Sequence, residues 1–296
     1  MTPLVLPLPG AETAAAALAA HLQAPVGRVE SRRFPDGESY LRLHDEPAGR
    51  DVVVVASLRD PDPQALRLWF LAQTARELGA RSVGLVAPYL PYMRQDTRFA
   101  PGEAVTIGTF ARFVSQAFDW LVTVDPHLHR IASLSEVYTV PADTVASAPA
   151  IARWVMQQVP DPVIIGPDSE SEQWAGEVAA RVGCPAIVLH KRRLGDRHVE
   201  VSVPDAQSHA GRSPVLIDDI VSSARTMAEA ARHVRTAFGR APVCIGVHAV
   251  FAPDALQVLL DAGAARVVTC NTLPHESNGI DVLGEVAVAV RRLVAG

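Results

Sequence analysis

Short runs of β-branched residues alternate along this chain with longer stretches in which apolar residues recur at helical spacing. Asp51 to Ser57 (DVVVVAS) reads as a strand, and Pro63 to Leu78 as a helix with apolar residues at helical spacing. Ser82 to Ala87 is the next strand, Glu103 to Phe118 a helix, and Trp120 to Val124 another buried strand. A second series follows, with strands at Val163 to Ile165, Ala186 to Leu189, Val215 to Ile217, Val243 to Val247 and Arg266 to Thr269, and helical stretches between most of them. This alternation builds βα units around a parallel sheet. The Pro- and Ala-rich passage from Pro141 to Pro149 forms a seam, so the pattern predicts two α/β domains of similar size, 1–143 and 144–296. An internal echo runs across the seam: Leu78-Gly79-Ala80-Arg81-Ser82-Val83 and Ala262-Gly263-Ala264-Ala265-Arg266-Val267 each place a glycine between a helix end and a strand, where a left-handed cap is expected.

Composition narrows the function classes. The chain has 296 residues, 49% of them hydrophobic, enough for two buried cores. A formal net charge of −5 argues against general affinity for nucleic acid or an anionic membrane, both of which select electropositive surfaces. Cys184, Cys244 and Cys270 lie far apart in or beside apolar runs, and are expected to be buried, reduced thiols. No segment reaches the roughly 18 apolar residues of a membrane helix, and MTPLVLPLPG has neither the basic start nor the apolar length of a signal peptide. A cytoplasmic protein acting on small molecules is the expectation, with no nucleic-acid or membrane partner.

The chemistry concentrates at strand ends. In PVLIDDIVSSART an apolar run stops at Asp218-Asp219, small hydroxyl residues follow, and a helix begins. Carboxylates at the carboxyl end of a parallel strand lie where open α/β sheets bind ligands. The turn from Ser222 to Thr226 would aim backbone N–H groups at a phosphate, and adjacent carboxylates suit the vicinal hydroxyls of a ribose. An Asp-rich strand end with a serine N-cap is the plainer alternative. Other segments have plain readings too. Phe34-Pro35-Asp36-Gly37-Glu38 is a turn between two strands, Arg94-Gln95-Asp96 a surface ion pair, and Lys191-Arg192-Arg193 a solvated basic run. His127 follows the strand LVTVD between Asp125 and His129, and Asp168 ends the run Val163-Ile164-Ile165-Gly166-Pro167, each at the mouth of its sheet.

DDIVSSART resembles the phosphoribosyl-diphosphate-binding loop of the phosphoribosyltransferase fold. Ala224 and Arg225 stand where that loop generally has glycines, and Ser222 where many members have a third acid. Taken in order, RRFPDGESYLRL, PYLPYMRQDTRF, TVDPHLHR, GPDSESEQWAGEVA, LHKRRLGDRHVEV and the loop are similar to the ribose-phosphate diphosphokinase family from about residue 30 onward. The resemblance implies two tandem phosphoribosyltransferase-like domains, each a mainly parallel sheet flanked by helices, and transfer of a diphosphoryl group from ATP to ribose 5-phosphate. It assigns Phe34, Asp36, Gly37, Glu38, Arg94, Gln95, Asp96 and His127 to ATP. Arg193, Asp218, Asp219, Ser222, Ser223, Ala224, Arg225 and Thr226 go to ribose 5-phosphate. Lys191 and Arg193 become the catalytic cations, and His127 and Asp168 are placed near Mg2+. Homo-oligomeric assembly is implied as well. Two rivals stay open at this point: a phosphoribosyltransferase, which needs no nucleotide elements, and a non-catalytic nucleotide-binding homologue that regulates a partner.

Overall fold

The computed structural model describes residues 2–128, 130–193, 199–202, 204 and 206–294. It separates into two compact units, one formed by Met1–Ala146 with Thr272–Pro274 and Leu283–Gly296, the other by Ser147–Asn271 with His275–Val282.

The first unit contains β1 (Leu4–Pro7), α1 (Glu12–Leu22), β2 (Val29–Arg33), β3 (Ser39–Leu43), β4 (Asp51–Val55), α2 (Asp62–Glu77), β5 (Ser82–Val86), α3 (Thr106–Ala117), β6 (Trp120–Val124) and β7 (Ala142–Val145). Five of these strands form a sheet in the order β1-β4-β5-β6-β7, parallel throughout. The two-residue period of a strand sorts its side chains into two faces. Leu4, Leu6, Val52, Val54, Val83, Leu85 and Leu121 join a core with Leu68, Leu71 and Ala72 of α2 and Ile107, Phe110, Ala111 and Val114 of α3. Val5, Val53, Val55, Val86, Val122 and Val124 alternate with them and are equally buried. Burial on both sides explains the unbroken apolar run of β4. The chain's last helix, α8 (Leu283–Val294), belongs to this unit and packs with α1 and β6. Arg291 donates to the His21 carbonyl at 2.9 Å and Arg292 to Asp143 at 2.8 Å.

At the amino end of β4 the buried Asp51 accepts hydrogen bonds from Arg81 Nε at 2.9 Å and Ser82 Oγ at 2.7 Å, with a second Arg81 nitrogen on its other oxygen. Burial alone would raise this carboxyl's pKa, but the Arg81 and Ser82 donors outweigh it and hold the value below the ordinary 3.8. Asp51→Ala would leave Ser82 and the strand start without their acceptor, and should lower stability by about 2 kcal/mol in urea titrations at neutral pH. Because the folded-state pKa is depressed, Asp51's contribution is complete above 3.8 and fades as pH falls through the lower folded value. Wild type and variant should therefore converge in stability only at strongly acid pH.

The second unit contains α4 (Ala148–Gln158), β8 (Pro162–Gly166), α5 (Glu172–Val182), β9 (Ala186–Val188), β10 (His190–Arg193), β11 (Val199–Ser202), β12 (Ser213–Val221), α6 (Arg225–Phe238), β13 (Val243–Ala249), α7 (Ala255–Asp261), β14 (Arg266–Cys270) and β15 (Asn278–Ile280). Its sheet is also wholly parallel, in the order β15-β14-β13-β12-β8-β9. Val163, Ile165, Leu216 and Cys244 pack with Met227, Ala231 and Val234 of α6 and Leu259 of α7. The echoed glycines behave as expected, Gly79 at φ +87° and Gly263 at φ +92°.

Several boundaries differ from those read in the sequence. Helix α3 begins at Thr106 rather than Glu103, because the Glu103 carboxylate is turned back to accept the Phe99 and Ala100 N–H groups at 2.8 and 2.9 Å. Strand β12 does not stop at Ile217 but continues to Val221. Its pairing with β8 ends at Leu216, while pairing with the long β13 carries it on through Asp218↔Gly246, Ile220↔His248 and Val221↔Ala249. Among the cysteines, Cys244 and Cys270 are buried as expected and Cys184 is half-buried, and all three are free thiols. Burial pushes the Cys244 thiol up to about 12, which keeps it protonated and inert.

Candidate functional site

Each unit gathers its candidate residues at the carboxyl ends of its parallel strands or on a hairpin beside its sheet. In the first unit, β2 and β3 pair antiparallel from Val29↔Leu43 to Arg33↔Ser39. The tip is closed by Phe34 N–H to the Glu38 carbonyl at 2.8 Å and Gly37 N–H to the Phe34 carbonyl at 2.9 Å. Asp36 accepts the Glu38 N–H at 3.2 Å. The sequence thus makes a tight turn that holds Phe34, Asp36 and Glu38 out to solvent. Phe34 meets Tyr40 edge-on at 6.0 Å, and the Arg32 guanidinium lies over both rings at 4.6 and 4.2 Å. Beside them runs a groove of about 480 Å³, walled by Phe34, Tyr40 and Leu41 on one side and Trp69, Phe70 and Gln73 of α2 on the other.

Two loops leave the neighbouring strands β5 and β6 in this unit. The first carries Arg94, exposed, then Gln95 and Asp96. It is anchored by Tyr92, which takes φ +64° and whose hydroxyl hydrogen-bonds Asp62. Burial and the Asp62 carboxylate push the Tyr92 phenol up to about 12, so it remains a donor. The Gln95 carbonyl accepts the Ile107 N–H at the start of α3, at 3.5 Å. Arg98 Nε donates to the Glu103 carbonyl at 2.8 Å. The second loop starts at Asp125, held at φ +32° with its N–H on the Val145 carbonyl, and carries the half-buried His127. His129 lies outside the described residues.

Asp96 is tied to this second loop. Arg130 Nη1 donates to Asp96 Oδ1 at 2.8 Å and the Arg130 backbone N–H to Oδ2 at 3.2 Å. Burial opposes ionisation of Asp96, yet the donors of Arg130 overcome it and hold the carboxyl below its usual value. Nothing in the sequence singles out Arg130, because its partner lies 34 positions away.

The second unit assembles the acids. Asp168 follows β8 in a turn closed by Ser171, whose Oγ donates to the Asp168 carbonyl at 2.6 Å and whose N–H reaches the Asp168 carboxylate at 3.3 Å. Gly166 is required there, since a Cβ would stand 2.4 Å from Ser171 Oγ. On β12 the Asp218 carboxylate accepts the Asp219 N–H at 3.0 Å, and Asp219 accepts the Ile220 N–H at 2.7 Å. Burial, then the charges of Asp219 and Asp168, push the Asp218 carboxyl up to about 8. Asp218, Asp219 and Asp168 thus oppose one another's ionisation.

Past Val221 the chain turns through Ser222 and Ser223 into Ala224, which takes a left-handed φ of +60° directly before α6. That conformation costs an alanine about 1–2 kcal/mol relative to the right-handed form. The residue is held there by burial in the β12–α6 core and by the Ala228 N–H on its carbonyl at 2.8 Å. Turn and helix start together point successive N–H groups out of the first turn of α6, beside the exposed Arg225 and Thr226. Lys191 and Arg193 occupy positions of the same parity on β10, which follows the edge strand β9 and pairs antiparallel with β11 at Lys191↔Val201 and Arg193↔Val199. Their side chains lie outside what the structure describes, as do residues 194–198. Among the described residues no three His, Cys, Asp or Glu side chains are grouped to hold a metal by themselves.

Comparison with known proteins agrees across the chain. A family model described as the N-terminal domain of ribose phosphate pyrophosphokinase matches residues 5–117, and a phosphoribosyl transferase domain model matches residues 141–283. A ribose-phosphate pyrophosphokinase of Methanopyrus kandleri is 37% identical over 93% of this chain and 94% of its own length. One from Methanothermobacter thermautotrophicus is 34% identical over 92% and 94%. A crystal structure of phosphoribosylpyrophosphate synthetase from Mycobacterium smegmatis, 23% identical, has the same fold, with a TM-score of 0.84 over 99% of both chains. Relatives matched along nearly their whole length, and family models matching both halves of the chain, place this chain in the ribose-phosphate pyrophosphokinase family.

Proposed function

We propose that the protein transfers the diphosphoryl group of ATP to ribose 5-phosphate, giving 5-phosphoribosyl 1-diphosphate and AMP. The observation that carries this reading is the β12–α6 passage: paired carboxylates at a sheet's ligand end, then a left-handed turn opening onto a helix N-terminus. Asp218 and Asp219 hold the vicinal hydroxyls of the sugar. The amides and hydroxyls of Ser222, Ser223, Ala224, Arg225 and Thr226 hold its 5-phosphate. Arg225 opens α6, so it adds a guanidinium at the phosphate end of a loop that lacks the usual glycines.

The nucleotide belongs to the first unit in this reading. Phe34 gives an aromatic face at the mouth of the groove, Asp36, Gly37 and Glu38 give polar edges, and Arg94, Gln95 and His127 meet the polyphosphate. Asp96 works through the loop it anchors. The anomeric hydroxyl attacks the β-phosphorus in line, its bond to phosphorus forms as the bond to the AMP oxygen breaks, AMP leaves, and the hydroxyl proton passes to solvent. Lys191 and Arg193 meet the charge that spreads onto the phosphoryl oxygens. The donor set suits Mg2+: Asp168 offers a hard oxygen, its negative field already raises Asp218, and the missing protein ligands are those a bound polyphosphate supplies. In the second unit Asp168 would hold such an ion, and in the first unit His127 would meet one carried by the nucleotide, each neutralising phosphate charge.

The three free thiols fit a cytoplasmic setting. Among the described residues no helix is long and apolar enough to cross a membrane. Phe70 and Phe34, exposed along the groove, support a homo-oligomer that covers them. The deciding experiment incubates the purified chain with ATP, magnesium and ribose 5-phosphate and follows AMP. Release that requires all three is the expected result. Folded protein that yields no AMP above the enzyme-free background overturns the catalytic reading.

A further inference from the structure

We propose that Arg130 is a positioning residue for the nucleotide: it locks the loop carrying Arg94 and Gln95 to the loop carrying His127 by clamping both oxygens of Asp96. The inference deepens the nucleotide reading above and rests on it. Three observations point to it. The clamp is two-pronged, with one side-chain and one main-chain donor from a single residue at 2.8 and 3.2 Å, so it fixes the orientation of the carboxylate as well as its place. The Asp96 side chain is 2% exposed and that of Arg130 57% exposed. A buried acceptor held by a partner at the surface is poorly suited to being a ligand contact and well suited to being a tie. The Arg130 guanidinium also stands over the Phe99 ring at 5.6 Å, which joins the far part of the first loop to the same residue.

The rest of the loop shows what the clamp adds. Its outer end is closed on itself by Glu103, which takes the N–H groups of Phe99 and Ala100, while Arg98 reaches the Glu103 carbonyl. These bonds shape residues 98–103; among the described residues Arg94 and Gln95 are held by the neighbouring Tyr92 hydroxyl on Asp62, by the long Ile107-to-Gln95 contact of 3.5 Å and by Asp96. Without Arg130, a rigid pair of nucleotide-binding loops becomes two loops that must be ordered at each binding event, and affinity falls by the cost of that ordering. The loss belongs to ATP alone, because ribose 5-phosphate is held in the other unit.

Calorimetric titration of the full chain separates the possibilities. Wild type is titrated first with magnesium ATP and, separately, with ribose 5-phosphate. Arg130→Ala should weaken ATP binding about tenfold, leave ribose 5-phosphate binding unchanged, and lower the thermal midpoint, since the buried Asp96 carboxylate loses its side-chain partner. Asp96→Asn should give a similar loss, and the double variant should bind no more weakly than either single one, as expected of two halves of one clamp. Arg130→Lys, which keeps the charge and the main-chain donor but changes the geometry of the side-chain donor, should recover part of the affinity. Unchanged ATP binding in Arg130→Ala, or losses that multiply in the double variant, overturn the inference and leave the nucleotide reading standing. Wild type that binds no ATP overturns both. A fall in ribose 5-phosphate affinity equal to that for ATP would mark Arg130 as merely structural, and also overturns the inference.

Discussion

Lys191→Ala should lower the rate of AMP release by about three orders of magnitude while leaving ATP affinity within about threefold of wild type. The asymmetry follows from when the charge appears. Bound ATP already carries its negative charge and spreads it over three phosphates. Only as the β-phosphorus leaves AMP for the sugar does charge concentrate on the transferring group, and an ammonium preorganised there acts mainly on the barrier. The backbone supports this placement. Strand β10 follows directly from β9, the sheet edge next to β8, and so carries Lys191 past the same ends of the strands that present Asp168 and Asp218. Its pairing with β11 makes it a hairpin, a more defined support than the solvated basic run the sequence suggested. Rapid-quench measurement of the chemical step, with ATP binding measured separately, tests the point. Equal losses in binding and turnover would make the residue structural.

Much of this arrangement was legible before any coordinates, for reasons that differ from residue to residue. Short β-branched runs, the valines of β4 among them, alternate with helical stretches, and that settled the parallel α/β class. β1 escaped notice because Pro3, Pro7 and Pro9 crowd it, yet it is the edge strand of its sheet and Pro7 is its final residue, positions where a missing N–H is tolerated. The extent of β12 was hidden because Asp218-Asp219 looks like a strand's end, and only the length of its neighbour β13 keeps the ladder going. Helix α8 has an apolar face that would suit either sheet, and local sequence holds no information about which one it covers. At the loop, the replacement of the usual glycines was visible in Ala224 and Arg225. The structure adds that Ala224 takes a left-handed φ of +60°, a conformation that a glycine would adopt at less cost. The Asp96–Arg130 clamp could not be read at all, being a meeting of two loops from neighbouring strands.

Gly84→Ala is expected to be the most damaging single-methyl change in the first unit. Gly84 on β5 pairs with Trp120 on β6, and the indole folds flat across the glycine. A Cβ at Gly84 would stand 1.9 Å from Trp120 Cε2 and 2.1 Å from Cζ2, far inside contact distance. The ring cannot step aside cheaply, because Trp120 is itself 4% exposed and its strand is pinned by β5 on one side and β7 on the other. Relief must come from prising β5 from β6 or from an off-rotamer indole, and overpacking of this severity costs about 3 kcal/mol. Urea unfolding should show a lower midpoint with little change in slope, and an unchanged midpoint would refute the packing account. A second substitution separates overpacking from any intrinsic backbone need for glycine. Among the described residues Trp120 Nε1 is buried with no hydrogen-bond partner, so Trp120→Phe removes an unsatisfied donor together with Cε2 and Cζ2, two of the three indole atoms that a Cβ at Gly84 would meet first. In the Trp120→Phe background, Gly84→Ala should cost less than half of what it costs in wild type. If the cost is the same in both backgrounds, the indole is not what requires the glycine.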